Sequence, residues 1–135
     1  MNQPSEERNV VLEQEHFRQL LEVLWGQGYC VVGPTVRAGA IVYDELRSAE
    51  ELPRGWTDQQ EGGTYRLQRR SDQALFGYAS TPQSWKQVLH PSVHRLWRAK
   101  RTGRGFQVQE EKPDLPKYAF IGVRSCDLHS IAILD

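Results

Sequence analysis

The polar and apolar positions at the start of the chain follow a helical pattern. Between Leu12 and Trp25, apolar residues recur every three or four positions, which is the spacing of one face of an α-helix. Gly26 and Gly28 predict the end of this helix, because glycine readily adopts the left-handed conformation of a helix cap. Residues 1–10 are polar, and we expect them to be disordered.

Short apolar runs after the helix are typical of strands. Residues 29–32 predict a strand that Gly33 and Pro34 close. Residues 40–46 predict the returning strand of a hairpin, after a turn at residues 38–39.

The middle of the chain predicts a loop, a second hairpin and a pair of helices. Residues 47–63 have no sustained period and predict a long surface loop, a kind of segment that often binds a partner. Residues 64–69 alternate and predict a strand that pairs with residues 74–78. The prolines at positions 82 and 91 favour two helices, over residues 84–89 and 92–101.

The last part of the chain predicts a strand, a tight turn and a helix. Residues 106–109 form a short strand-type run, and residues 118–123 form an apolar run that ends at a polar corner. The apolar positions after this corner have helical spacing. The sequence therefore predicts one mixed α/β (α+β) domain over residues 11–135, built around a mixed sheet.

The C-terminal helix has two unusual features. Its apolar residues surround much of the helix, more than one flank of a small domain normally buries, and Asp135 opposes the helix dipole. We therefore expect the chain to be the front part of a longer protein.

Composition excludes several classes of function. The 17 basic residues balance 17 acidic ones, which argues against a nucleic-acid partner. The apolar runs are far shorter than the roughly 20 residues of a membrane span, and the N-terminus has no apolar signal core, so we expect a cytoplasmic protein. Two cysteines are too few for a disulfide framework. The motifs of phosphate loops, dinucleotide folds, zinc proteases and serine hydrolases are absent.

The polar corner between the last strand and helix holds the main candidate residues. Cys126 lies at the helix start, where backbone N–H groups and Arg124 favour a thiolate, the form that binds an iron–sulfur cluster or zinc. The alternative is a small buried residue at a tight turn. Asp127 could cap the helix, and Arg124 could hold an anion or form an ion pair. The spacing does not decide whether His129 faces Cys126 or solvent.

The other candidates are weaker. His90 and His94 are four residues apart, but Pro91 interrupts the helix that would place both on one metal ion. Cys30 is flanked by valines and is expected in the core. A basic cluster around Trp97 could dock an acidic partner or a nucleotide phosphate, or it could be a solvated helix face; its members are Arg95, Arg98, Lys100, Arg101 and Arg104.

Four segments together resemble a known family. They are GYCVVGPTVRAGAIVYDEL (28–46), ELPRGWTDQQEGGTYRL (51–67), ALFGYASTPQSWKQVLHP (74–91) and YAFIGVRSCDLHSIAILD (118–135). Their order and content are similar to the N-terminal region of the iron–sulfur beta subunits of cytoplasmic sulfhydrogenases and of the related iron–sulfur subunits of anaerobic sulfite reductases. The last segment and the SWK at 84–86 carry most of this resemblance.

The resemblance implies an electron-transfer subunit with [4Fe–4S] clusters. In that family the chain continues into a region of grouped cysteines, and the subunit passes electrons between a flavin-bearing and a catalytic subunit. This chain lacks the grouped cysteines. Cys126 matches the cysteine of the family's GVRxCD motif, which implies that it is one ligand of a cluster completed by later cysteines, with Arg124 and Asp127 beside it. Two alternatives stay open, namely a metal-free assembly module and a flavin or nucleotide site in the basic region.

Overall fold

The fold is a mixed α+β architecture, as the sequence predicts. A computed structural model of the chain describes residues 10–79, 85–93, 95–110 and 116–134. Three α-helices and seven strands lie in these residues. They are α1 (Phe17–Gly26), β1 (Tyr29–Arg37), β2 (Ala40–Glu45), β3 (Trp56–Glu61), β4 (Thr64–Arg69), α2 (Lys86–Leu89), β5 (Trp97–Thr102), β6 (Gly105–Glu110), β7 (Lys117–Phe120) and α3 (Ser125–Leu134). The disorder predicted for the N-terminal residues falls mainly on residues 1–9, which lie outside this description.

The core lies between α1 and one face of the central sheet. A 3₁₀ turn at Gln14–His16 leads into α1, which confirms the predicted N-terminal helix. Leu21 is completely buried and packs in a cluster with Val31 and Leu46. The indole N–H of Trp25 donates to the Leu46 carbonyl oxygen at 3.0 Å, so α1 is also tied to the end of β2 by a hydrogen bond.

The central sheet has the order β2-β1-β7, with β1 antiparallel to β2 and parallel to β7. The first predicted hairpin is therefore confirmed, but β1 does not close at Gly33 and Pro34. Pro34 pairs with Tyr43 of β2. The even-numbered residues of β1 direct their backbone hydrogen bonds towards β7, as the bond from the Ile121 N–H to the Val32 carbonyl oxygen shows. Because β7 ends at Phe120, opposite Val32, Pro34 lies where no neighbouring strand requires its missing N–H.

The long loop predicted for residues 47–63 is wrong. A 3₁₀ turn forms at Ala49–Glu51, and β3 then pairs with β4 in antiparallel register. Two glycines connect these strands, and Gly63 adopts a φ of 72°, as tight hairpin turns require. The second predicted hairpin, of residues 64–69 with residues 74–78, is also wrong. β4 pairs with β3, and residues 74–78 form no strand.

The predicted pair of helices is only partly correct. α2 is a single turn at Lys86–Leu89, and Ser84 lies outside the described residues. The second predicted helix, over residues 92–101, is wrong, because β5 pairs with β6 in a hairpin. Its turn has Gly103 at a φ of 57°, a conformation that glycine adopts without strain. The basic cluster thus lies largely on a strand and its turn.

Candidate functional site

The corner between β7 and α3 forms the candidate site, and its backbone agrees with the predicted strand-turn-helix. Ile121 extends the parallel pairing by donating to the Val32 carbonyl oxygen at 2.8 Å. The Leu128 N–H then donates to the Arg124 carbonyl oxygen at 2.9 Å, which places Arg124 at the N-cap position of α3. Asp127, for which the sequence predicts a capping role, lies inside the first turn instead, where a carboxylate interacts favourably with the helix dipole.

Gly122 lets the chain turn sharply at this corner. Its φ is 71°, in the left-handed region that favours glycine. A Cβ atom at this position would lie 2.8 Å from Cε1 of Phe76 and 3.4 Å from the hydroxyl of Tyr78. The close approach of these two rings to the backbone therefore depends on the missing side chain.

Cys126 lies in the first turn of α3 and is exposed. The alternative of a small buried residue at a tight turn is therefore wrong. The first backbone N–H groups of a helix have no partner within the helix, and they attract negative charge. The thiol of Cys126 is thus open to groups from outside the described chain, at a position that suits an anionic sulfur.

Arg124 is held against Tyr78. Its guanidinium donates to the Tyr78 carbonyl oxygen at 2.6 Å, and the Cζ atom lies 5.8 Å from the centroid of the Tyr78 ring. Burial raises the pKa of the Tyr78 phenol, and the nearby Tyr43 raises it further, whereas the charge of Arg124 acts in the opposite direction. The structure therefore fixes the position of Arg124 beside Tyr78.

Tyr43 connects β2 to the corner. Its hydroxyl donates to the Gly122 carbonyl oxygen at 2.6 Å. Burial raises the pKa of Tyr43, the charge of Asp127 raises it further, Arg124 lowers it, and Cys126 has a smaller raising effect. All three residues that the sequence predicts for this site therefore affect the pKa of the Tyr43 phenol.

Cys30 does not lie in the core, contrary to the prediction. It is half-buried on the face of β1 opposite Val31, where it lines an open cleft of about 850 Å³ with Tyr43, Tyr118 and residues 87–89. Partial burial raises the pKa of the Cys30 thiol, and the charge of Glu45 adds to this effect.

Among the described residues, the histidines and the remaining motif residues do not assemble a metal site. His90 is exposed and lies 5.9 Å from the Trp85 ring, and His94 lies outside the described residues. His129 is exposed on α3. Within the described ranges, no group of three or more histidine, cysteine, aspartate or glutamate side chains could hold a metal ion. Trp85 of the SWK motif is buried, with the Lys86 ammonium 5.8 Å from its ring centroid.

Three residues of the site have no signal in the sequence. They are Tyr43, Phe76 and Tyr78, which contact the corner from parts of the chain at least 44 positions away from Gly122. Their contact partner Gly122 does carry a local signal, since a glycine at the end of an apolar strand indicates a bend or a close approach of another group.

The chain has no match among protein-family models, curated proteins or solved structures. In the part of the chain that the structure describes, none of the helices has the length and apolar character needed to cross a membrane.

Proposed function

We propose that this chain is the N-terminal domain of an iron–sulfur electron-transfer subunit in a hydrogenase-like or sulfite-reductase-like complex. The domain itself performs no bond chemistry in this proposal. It presents Cys126 to a cluster and holds the backbone around that cluster in place.

The observation that carries the proposal is the exposed thiol of Cys126 in the first turn of α3. Three features support a role in binding a negatively charged group there. The helix start offers N–H donors, Arg124 supplies a positive charge fixed by Tyr78, and Gly122 gives the backbone room to turn before the helix.

The residues present fit part of a [4Fe–4S] site. Cys126 would supply one of the four thiolate ligands, and the other ligands would come from outside the described residues. When bound, such a cluster supplies one-electron transfer. Arg124 and Asp127 would set the charge balance around it, and Tyr43 would hold the Gly122 carbonyl oxygen.

The proposed partners are the flavin-bearing and catalytic subunits of the same complex, and the proposed location is the cytoplasm. Both cysteines are free thiols, which suits a reducing compartment.

Anaerobic expression of the chain, together with any coding sequence that follows codon 135, tests the proposal. We expect Cys126→Ser to lose iron and acid-labile sulfide and to change the reduction spectrum. Cys30→Ser is the matched control, because Cys30 lies on β1 and not on α3, and it should keep both. Unchanged iron, sulfide and spectra in Cys126→Ser would remove Cys126 from the ligand set.

A metal-free assembly module is the second candidate function. The observation that favours it is the β5–β6 hairpin, in which every strand residue is exposed. This alternative predicts that Cys126→Ser leaves both complex formation and electron flow intact, whereas the first proposal predicts that electron flow is lost.

A further inference from the structure

The β5–β6 hairpin exposes an apolar face. Alternation places Trp97 and Ala99 of β5 on the same face as Phe106 and Val108 of β6, since Ala99 pairs directly with Val108. Trp97 is 60% exposed, Phe106 73% and Val108 66%. Aromatic and aliphatic side chains are therefore presented together on one surface.

The same hairpin concentrates positive charge. Residues 97–110 contain one acidic side chain, Glu110, and four basic side chains, Arg98, Lys100, Arg101 and Arg104. The other residues carry 13 of the 17 basic and 16 of the 17 acidic side chains, so the hairpin has a positive net charge and the rest of the chain a negative one. Arg101 lies beside Phe106 in the strand register, and Arg104 lies in the turn. Arg101 therefore lies on the apolar face and Arg104 next to its turn end, whereas Glu110 lies beside Trp97 at the other end. Alternation places Arg98 and Lys100 on the opposite face of the hairpin.

A complementary surface packed on a hairpin of this kind would stabilise it. An isolated two-stranded hairpin is only marginally stable in water, and both of its outer edges have unpaired backbone groups. The apolar side chains of Trp97, Phe106 and Val108 would leave water if a complementary surface packed on them.

We propose that the apolar face of the β5–β6 hairpin docks a partner protein whose contact surface has an apolar centre and an acidic rim. Charge complementarity selects this chemistry, because Arg101 pairs with the exposed Phe106 on this face and Arg104 lies in the adjoining turn. The inference does not depend on a cluster at Cys126, since the hairpin and the corner between β7 and α3 share no residue.

The structure argues against a second copy of the chain as the occupant. Several carboxylates outside the hairpin already form ion pairs with arginines. Arg37 pairs with Asp44 and Glu51, and Arg70 pairs with Asp72. Within the described ranges, no ion pair involves Lys100, Arg101 or Arg104. The aliphatic Val108 and Ala99 on the aromatic face also favour a protein surface over stacked nucleic-acid bases.

Peptide binding to the full chain tests the proposal. The probe is a fluorescent extended peptide that alternates glutamate with phenylalanine and leucine, and binding is followed by fluorescence anisotropy. We expect the chain to bind this peptide at least about tenfold more tightly than a peptide with serine at the apolar positions. An oligothymidylate of similar length tests for a nucleic-acid surface.

Variants locate the binding surface. The double variant Arg101→Glu/Arg104→Glu should weaken binding at least about tenfold, and Phe106→Ser should weaken it without changing the charge. Arg66→Glu is the matched control, because Arg66 is an exposed arginine on the β3–β4 hairpin, and it should stay within about twofold of the wild type. Cys126→Ser should bind like the wild type, which separates this inference from the proposed function.

Several results would overturn the proposal. They are the absence of peptide binding, equal affinity for the serine peptide, an equal loss in Arg66→Glu, or tighter binding to oligothymidylate. Self-association in sedimentation velocity that disappears in Arg101→Glu/Arg104→Glu would assign the surface to a second copy and would also overturn it. Circular dichroism should show a wild-type fold for each variant, because the substituted side chains are exposed.

Discussion

The hydroxyl of Tyr43 donates a hydrogen bond of 2.6 Å to the carbonyl oxygen of Gly122, and this bond joins β2 to the turn before α3. The two residues are 79 positions apart, and the sheet order β2-β1-β7 places β1 between the strand of Tyr43 and the strand that precedes Gly122. The bond fixes the backbone four residues before Cys126. The position of the candidate thiol is therefore set partly by a side chain on the opposite edge of the sheet.

Removing this hydrogen bond should destabilise the fold. We expect Tyr43→Phe to lower the free energy of unfolding by about 0.5–1.5 kcal/mol, because the partly buried Gly122 carbonyl oxygen loses its donor. Urea denaturation at neutral pH measures the change. Tyr29→Phe is the control, since the Tyr29 hydroxyl has no hydrogen-bond partner among the described residues. Equal losses in both variants would contradict this role of Tyr43.

Gly122 should tolerate no side chain. We expect Gly122→Ala to lower the free energy of unfolding by at least about 2 kcal/mol, since it combines a left-handed backbone with overpacking against Phe76. Gly39→Ala is the matched control, because Gly39 has a φ of 77° but nothing within 4 Å of the added Cβ atom. Its loss should be about 1 kcal/mol. Urea denaturation of both variants isolates the contribution of the Phe76 contact, and similar losses would show that this contact costs little.

The two cysteines should react with thiol reagents at different rates. Cys126 is exposed, whereas Cys30 is half-buried and has a raised pKa, so its reactive thiolate forms only at higher pH. We expect a disulfide reagent to modify Cys126 at least about tenfold faster near pH 8. Raising the pH above 9.0, the ordinary pKa of a cysteine thiol, should reduce the difference between the two reaction rates, because the Cys30 thiol then ionises more fully.

Single substitutions assign the two reactions. Cys30→Ser should retain only the fast reaction, and Cys126→Ser should retain only the slow one. The absorbance of the thiolate released from the disulfide reagent follows both reactions. If the slow reaction disappeared in Cys126→Ser and remained in Cys30→Ser, the assignment of exposure to Cys126 would be contradicted.

Local signals predict the elements whose sequence pattern has one interpretation. The helical spacing before Gly26 predicts α1, and the apolar run before Arg124 predicts β7 and the start of α3. The exposure of Cys126 also agrees with the change from apolar to polar residues at that corner. These features depend on neighbours within one or two turns of chain, so a single sequence is sufficient to predict them.

Strands with polar residues on both faces escape prediction. Residues 56–61 carry no apolar alternation, and residues 97–102 alternate only through Trp97 and Ala99. The pairing of both strands is indicated mainly by the two-residue turns that contain Gly62 and Gly103. The break at Pro91 therefore favours a helix over residues 92–101 in the sequence, although residues 97–102 form β5. The contact of Tyr43 with Gly122 has no local signal, because the register of β1 between β2 and β7 brings the two residues together.

Alkaline pH should weaken the fold through the two tyrosines of the corner. Burial raises the pKa values of Tyr43 and Tyr78 in the folded chain above the ordinary value of 10.0. Between that value and the folded pKa values, the unfolded chain binds fewer protons than the folded chain, so stability falls as the pH rises. Below about pH 10 these two groups leave stability unchanged, because both states keep the phenolic protons.

Urea denaturation between about pH 8 and pH 11 measures this dependence. We expect Tyr78→Phe to reduce the alkaline decline in the free energy of unfolding, because one phenol that stays protonated in the folded state is gone. Tyr29→Phe, which changes a tyrosine outside the corner, should keep the wild-type decline. An identical decline in all three proteins would mean that the Tyr78 phenol ionises alike in the folded and unfolded chain. The packing of Tyr78 against Arg124 and Gly122 would then not keep water from its hydroxyl.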